Sequence, residues 1–237
     1  MLTFVTATRL SEAEFRVSSP LAHSLKILGQ VNPLTLRIAA ENTRPLAAVY
    51  NEAILESSPG EILIFVHDDV AIDDWLTGAR LHEALTHFDV VGVAGNRRCQ
   101  PGQETWYMQT SRMVDGVRTM DAFDTEWLSG VVRHGVQGEP GMTVYGPAPA
   151  AVALLDGMFL AARGDVLKSR EVLFDPQLEF HFYDLDFCRS AARAGLRLGT
   201  WPLALTHSST GESVKSSTWA ASCELYLRKW LEPVGCA

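Results

Sequence analysis

In Ile62-Leu63-Ile64-Phe65-Val66-His67-Asp68-Asp69, an unbroken apolar run leads straight into a histidine and two carboxylates. A run without alternation is what a strand covered on both faces of a parallel sheet requires. Ligands of such sheets bind beyond the carboxyl ends of the strands, where these three residues stand. Neighbouring carboxylates raise each other's pKa unless a cation or a ligand hydroxyl meets them. The alternative is that one acid caps the next helix while the other is solvated. A lone histidine is more often packed or hydrogen-bonded than a ligand, which leaves the role of His67 open.

Outward from this stretch the pattern alternates. Leu2 to Thr8 is β-rich and turns polar at its end, and Pro45 to Leu55 carries apolar residues at helical spacing until Ser57-Ser58-Pro59-Gly60 stops it. Downstream, Asp73 to His87 reads as a helix with Asp73 or Asp74 as cap, and Val90 to Gly95 as another buried strand. Alternation of this kind predicts an α/β fold with a mainly parallel central sheet, right-handed crossovers and flanking helices. The segment from Asn96 to Pro149, with turns at Gly138-Glu139-Pro140-Gly141 and Gly146-Pro147-Ala148-Pro149, predicts a small antiparallel excursion. Regular pattern returns over Ala151 to Ala162, and a short helix follows around Asp165 to Ser169. A helix from Asp184 to Ala194 then stops at Gly195. Leu196 to Trp201 and Leu203 to His207 are strand candidates, and Ser217 to Leu231 a terminal amphipathic helix. Without repeats or linkers, residues 1–237 read as a single domain.

Composition narrows the function. A net charge of -8 and the lack of a basic stripe argue against nucleic-acid binding. An acidic chain that binds an anion must supply positive charge locally, and a divalent metal held by carboxylates does so. No apolar run approaches the ~20 residues of a membrane span, and the N-terminal stretch lacks a signal-peptide pattern, so a cytoplasmic location is expected. Cys99, Cys188, Cys223 and Cys236 are too scattered for a zinc knuckle or a disulfide framework.

Two further clusters carry potential chemistry. In Phe182-Tyr183-Asp184-Leu185-Asp186, Asp184 would lie at a helix start facing the mouth of the sheet, as a general base or merely a cap. Asp186 points elsewhere, and an internal hydrogen bond or dipole stabilisation suits it better. In Thr206-His207-Ser208-Ser209, His207 could offer nitrogen to a metal held by Asp69, and the serines could offer donors to phosphates. A mixed nitrogen and oxygen set suits manganese better than magnesium.

Taken in order, Asn42-Thr43-Arg44, Tyr50-Asn51-Glu52-Ala53, Val66-His67-Asp68-Asp69-Val70, Leu155-Asp156-Gly157-Met158-Phe159, Phe182-Tyr183-Asp184-Leu185-Asp186-Phe187-Cys188 and His207 resemble glycosyltransferase family 2 and its small bacterial relatives of the GT-A fold. The resemblance spans most of the chain. It implies transfer of a sugar from a nucleotide-diphosphate sugar, UDP being the nucleotide, to an unidentified acceptor hydroxyl with inversion. It also implies Mn2+ or Mg2+ as cofactor. Asp69 and His207 would hold the metal and Asp68 the ribose. Thr6, Ala7, Arg9, Glu41, Asn42 and Arg44 would line the nucleotide site. Asp156 and Gly157 would line the donor-sugar pocket, and Asp184 would be the base. His67 and Tyr183 stand where the family commonly has acids.

Two other functions fit parts of this pattern. One is a nucleotide-sugar-binding protein of the same fold with little transferase activity. The other is a phosphohydrolase built on His67-Asp68, although that dipeptide belongs on helices among further histidines in such enzymes.

Overall fold

The computed structural model describes residues 1–109, 112–114, 117–119, 123–135, 141–208 and 217–230. Strand β1 (Leu2–Ala7) is followed by α1 (Glu12–Ser18), which starts at a Ser11/Glu14 capping box. Next come α2 (Pro20–Leu28), with proline in its first turn, and β2 (Leu34–Ala39). None of α1, α2 and β2 stood out in the sequence. The two helices are too short to show much period, and β2 is an edge strand that is only half-buried.

Then follow α3 (Leu46–Glu56), the fully buried β3 (Ile62–Val66), β4 (Val70–Ile72) and α4 (Thr77–His87). Helix α4 starts at Thr77 rather than at Asp73. The Asp73 carboxylate accepts the Thr206 hydroxyl at 2.6 Å, and Asp74 accepts the Leu76 N–H at 2.9 Å while pairing with Arg80. The single strand expected from Val90 to Gly95 is two strands, β5 (Val90–Gly92) and β6 (Ala94–Asn96), because the chain passes from one sheet to another at Val93.

Strands β7 (Arg112–Val114) and β8 (Val117–Thr119) pair with each other. Beyond them lie β9 (Leu128–His134), β10 (Gly141–Gly146), β11 (Ala150–Ala151), β12 (Leu154–Leu155) and β13 (Phe159–Arg163). The chain ends with α5 (Gly164–Ser169), α6 (Tyr183–Arg193), β14 (Leu198–Thr200), β15 (Leu205–His207) and α7 (Ser217–Trp230). Ser209, Leu231, Cys236 and the predicted turn at 138–140 lie outside the described residues.

A seven-stranded sheet has the order β11-β14-β5-β13-β3-β1-β2. Strands β2, β1, β3, β5 and β14 run one way, and β13 and β11 oppose them, so the sheet is mainly parallel as the alternation predicted. The expected small excursion is larger than foreseen. It belongs to a six-stranded sheet, β12-β6-β9-β15-β4 with β10 on β9, that also recruits strands from outside residues 96–149. One continuous apolar cluster runs through the chain. At its centre Phe65, Tyr50 and Phe174 pack with ring centroids 4.9 to 5.2 Å apart, and Phe174 stacks on Phe187 at 4.1 Å. Each such buried ring contributes roughly 1.5–3 kcal/mol. The same cluster fixes Tyr183, whose ring lies 6.1 Å from Tyr50 and 6.0 Å from Phe174.

This topology brings separate segments to one rim. Strand β3 ends at Val66, which pairs with Phe159 at the start of the antiparallel β13. The residues just before β13, Asp156 and Gly157, therefore lie beside His67, whose N–H donates to the Met158 carbonyl at 3.1 Å. Strand β15 ends at His207, and the Ser208 N–H reaches the Asp69 carbonyl at 2.9 Å.

Candidate active site

His67, Asp69 and His207 each bring one potential ligand atom to a common point, all within 4.8 Å of one another. His207 Nε2 lies 3.4 Å from Asp69 Oδ2. The other oxygen, Asp69 Oδ1, is buried and has no hydrogen-bond partner among the described residues. A buried carboxylate oxygen left in that state is costly unless something outside the chain meets it. Two imidazoles and a carboxylate around such an oxygen fit a divalent cation with mixed nitrogen and oxygen preference. Burial would raise the Asp69 pKa, but its bond to His207 and the nearby imidazoles outweigh this and lower it. Burial would likewise lower His207, and Asp69 raises it instead. For His67 burial wins over Asp69 and Asp156, so its pKa is lowered and the ring is held neutral, the form that ligates.

Beside this cluster lies a cleft of about 210 Å³ with Trp106, Asp156, Phe180, Asp184 and Trp219 in its walls. Asp156 is held rigidly, accepting from Trp106 Nε1 at 2.7 Å and from the Met158 N–H at 2.8 Å. Asp184 stands in the first turn of α6 and splits its oxygens. Oδ1 accepts the Leu185 N–H at 2.9 Å, and Oδ2 reaches across to the Gly157 N–H at 3.0 Å. It is not the helix cap, a position taken by Phe182; one of its oxygens instead ties α6 to the Asp156–Gly157 segment. Burial, and after it the charge of Asp156, pushes its pKa up to about 7 against those hydrogen bonds. A carboxylate poised near neutrality in a cleft is suited to proton transfer.

Gly157 has no room for a side chain. A Cβ there would collide with the Tyr183 hydroxyl and sit 2.9 Å from the Asp184 Cβ. Asp186, two residues along the helix, is fully buried and away from the cleft. It accepts from Trp230 Nε1 at 2.8 Å and from Lys229 Nζ, the internal bonding expected of it.

The nucleotide-side residues are placed less uniformly. Thr6 is buried near the end of β1 with its hydroxyl unpartnered among the described residues, and Ala7 closes the strand. Arg9, Glu41 and Asn42 surround one open depression together with Thr43. Glu41 has a left-handed backbone, φ 47°, and its N–H bonds the Leu10 carbonyl at 2.9 Å. Arg44 is not in that group, because its guanidinium pairs with Glu52 at 2.5 Å. Asp68 is half-buried, and its carbonyl receives the Ser19 hydroxyl at 2.6 Å, so the junction of α1 and α2 pins the turn that carries it.

Sequence reasoning missed Trp106, Phe180 and Trp219 as cleft walls and left His67 and Tyr183 unassigned. The walls gave no signal because they come from three distant segments. The Trp106 segment is carried by a long loop whose neck is fastened. Arg97 N–H donates to the Trp127 carbonyl at 2.8 Å, and Asn96 Nδ2 bonds both the Trp106 carbonyl at 2.8 Å and Asp124 at 2.9 Å. Asp124 also pairs with Arg98. Tyr183 and His67 touch, Nε2 to Oη at 2.7 Å, which no local pattern could show.

The model of a family described as "Glycosyltransferase like family" matches residues 30–228. No curated protein matches by sequence. Among solved structures, A197 from STIV aligns at TM-score 0.49 and 13% identity, covering 87% of this chain and 84% of that one. S. aureus TarS 1–349 aligns at 0.47 and 16%, with 87% of this chain covered but only 60% of the other. A Drosophila β-1,4-galactosyltransferase 7 mutant, in complex with manganese, UDP-Gal and xylobiose, aligns at 0.42 and 7%, over 92% and 67%.

Proposed function

Because the chain belongs to the glycosyltransferase-like family and has the α/β architecture of the GT-A fold, we propose that it is a metal-dependent, inverting glycosyltransferase acting from a UDP-sugar on an acceptor hydroxyl. Residues 1–237 would act as one catalytic domain. The observation that carries the reading is the position of Asp184. Its carboxylate, poised near neutrality, shares a rim with the His67–Asp69–His207 cluster and is hydrogen-bonded to the Gly157 backbone between them.

Asp69 and His207 would hold a divalent cation, manganese in preference to magnesium given the imidazole donors. Bound there, the ion supplies positive charge to a diphosphate leaving group, on which negative charge builds as the anomeric bond breaks. Asp68 would accept from ribose hydroxyls, and Thr6, Ala7, Arg9, Glu41 and Asn42 would bound the base. Arg44 reaches the nucleotide only by leaving Glu52, an exposed pair worth ~1 kcal/mol or less. Asp156 and Gly157, which line the cleft, would border the donor sugar. Asp184 would take the proton of the acceptor hydroxyl as that oxygen attacks from the face opposite the diphosphate, which inverts the anomeric carbon.

Calorimetry with UDP in the presence and absence of Mn2+ tests the binding half. Asp69→Ala should abolish metal-dependent UDP binding, and unchanged affinity in that variant sinks the site assignment. Asp184→Asn should bind UDP as wild type does and lose transfer by at least ~100-fold. Turnover against a panel of nucleotide sugars, with the product anomer read by NMR, tests the rest. Binding without turnover of any donor would instead make the chain a nucleotide-sugar-binding member of the family.

A further inference from the structure

We propose that Tyr183 is a positioning residue that fixes the tautomer of His67, so that His67 serves through Nδ1 as a third protein ligand of the divalent cation. The inference rests on the metal site assigned to Asp69 and His207, and adds to it a ligand and the group that orients that ligand.

The tautomer follows from counting protons. The Tyr183 hydroxyl has one hydrogen and two neighbours, the Gly157 carbonyl oxygen at 3.0 Å and His67 Nε2 at 2.7 Å. A carbonyl can only accept, so Tyr183 donates to Gly157. The remaining contact is satisfied when His67 Nε2–H donates to Tyr183 Oη. A neutral imidazole has one N–H, so Nδ1 then carries the lone pair. One ring nitrogen of His67 lies within 4.8 Å of ligand atoms of Asp69 and His207, and with Nε2 occupied by Tyr183 we assign that place to Nδ1. Metal-ligating histidines generally donate their other ring N–H to an oxygen, and that partner sets ring orientation and tautomer.

The relay is stiff at each end. The Tyr183 ring is buried and packed against Tyr50 and Phe174, so its hydroxyl has little freedom. Gly157 is held on both of its peptide groups by consecutive residues of α6, its carbonyl by Tyr183 and its N–H by Asp184. The His67 ring also stacks on Phe180 with centroids 6.2 Å apart. A shift of the His67 ring therefore reaches the Asp156–Gly157 segment and the Asp184 carboxylate through a single side chain.

Tyr183→Phe removes the hydroxyl and keeps the ring. Mn2+ binding to the full chain, measured by calorimetry and by the EPR signal of free Mn2+, should weaken 10- to 100-fold in this variant. In a His67→Ala background, the same change should have no further effect. Histidine 15N NMR of the metal-free wild type at pH 8 should show His67 protonated on Nε2, a readout that needs no variant to fold. Tyr183→Phe that binds Mn2+ like wild type, an equal loss in the His67→Ala background, or a His67 proton on Nδ1 each overturns the inference. These outcomes leave the Asp69 and His207 site standing. A wild type that binds no Mn2+ at all overturns the metal site itself and the ligand role of His67 with it.

Discussion

At Asp184 two opposing demands meet. Burial and the neighbouring Asp156 disfavour its charge, while two peptide N–H groups favour it, and the balance leaves the folded pKa at about 7, above the ordinary 3.8. A carboxylate with a raised folded pKa binds more protons folded than unfolded between those two values. It therefore lowers stability as pH rises from about 4 to about 7, by up to ~1.4 kcal/mol per pH unit, and has no further effect above that. Asp184→Asn cannot ionise. Its stability relative to wild type should rise across this window and level off above pH 7, as read by urea denaturation at pH 5, 6, 7 and 8. A constant difference across that range would show that the carboxylate is not desolvated. The same ionisation should appear as an acidic limb near pH 7 in kcat/KM for sugar transfer, and a profile flat down to pH 5 excludes Asp184 as base. At this scale the sequence was informative for Asp69, Asp184 and His207, because each stands at a strand or helix end where carboxylates and histidines need a reason. It left the roles of His67 and Tyr183 open. They lie 116 positions apart and acquire meaning only through their mutual hydrogen bond.

Among the elements, α6 and α7 are joined by a buried ionic contact. Asp186 is fully buried and bonded to Lys229 and Trp230, and Arg193 lies over the Trp230 ring at 4.2 Å. Burial raises the Asp186 pKa even so, since Lys229 only partly offsets it. Lys229→Ala leaves that carboxylate without its cation and should cost about 2–4 kcal/mol in urea unfolding. The loss should shrink as pH is lowered, because the raised pKa of Asp186 lets it take up a proton and dispense with the cation. Helix α7 also carries Trp219 into the cleft, so the Asp186 contact supports a wall of the site from its far side. Long elements with clear period, such as α3, α6 and β3, could be read from the sequence to within a residue or two. Strands of two or three residues such as β4, β6 and β12 could not, because their pairing is decided by distant chain rather than by local pattern.

Across the whole molecule, two sheets share the burden of the site. β3 and β13 bring His67 and Gly157 to the rim of one sheet, while Asp69, just before β4, and His207, at the end of β15, meet through the β4–β15 pair of the other. The seam between the sheets is tight at Gly130, with φ 110° and a virtual Cβ that would sit against the Val93 carbonyl and the Ala94 Cα. Gly130→Ala combines a left-handed conformation with a backbone collision, and should destabilise by about 3 kcal/mol or more, or prevent folding. Ligands that span the seam should do the reverse. Mn2+ with UDP at 100 times its Kd should add ~2.7 kcal/mol, seen as a rise in Tm that Asp69→Ala lacks. The alternation of strands and helices made the mainly parallel sheet legible in advance. The size of the second sheet was not, since its strands are drawn from five separated stretches of chain.

The fastened neck at Asn96, Arg97, Asp124 and Trp127 has a consequence for exchange of the loop. Between those anchors, the loop bearing Trp106 forms one side of the cleft, while the metal cluster and Asp184 stand on other elements. Trp106 itself is tied back to the frame, its carbonyl to Asn96 and its indole N–H to Asp156, so a change at Trp106 is felt on the far side of the cleft. A loop transplanted at this neck must therefore bring a tryptophan with it if Asp156 is to stay where it is.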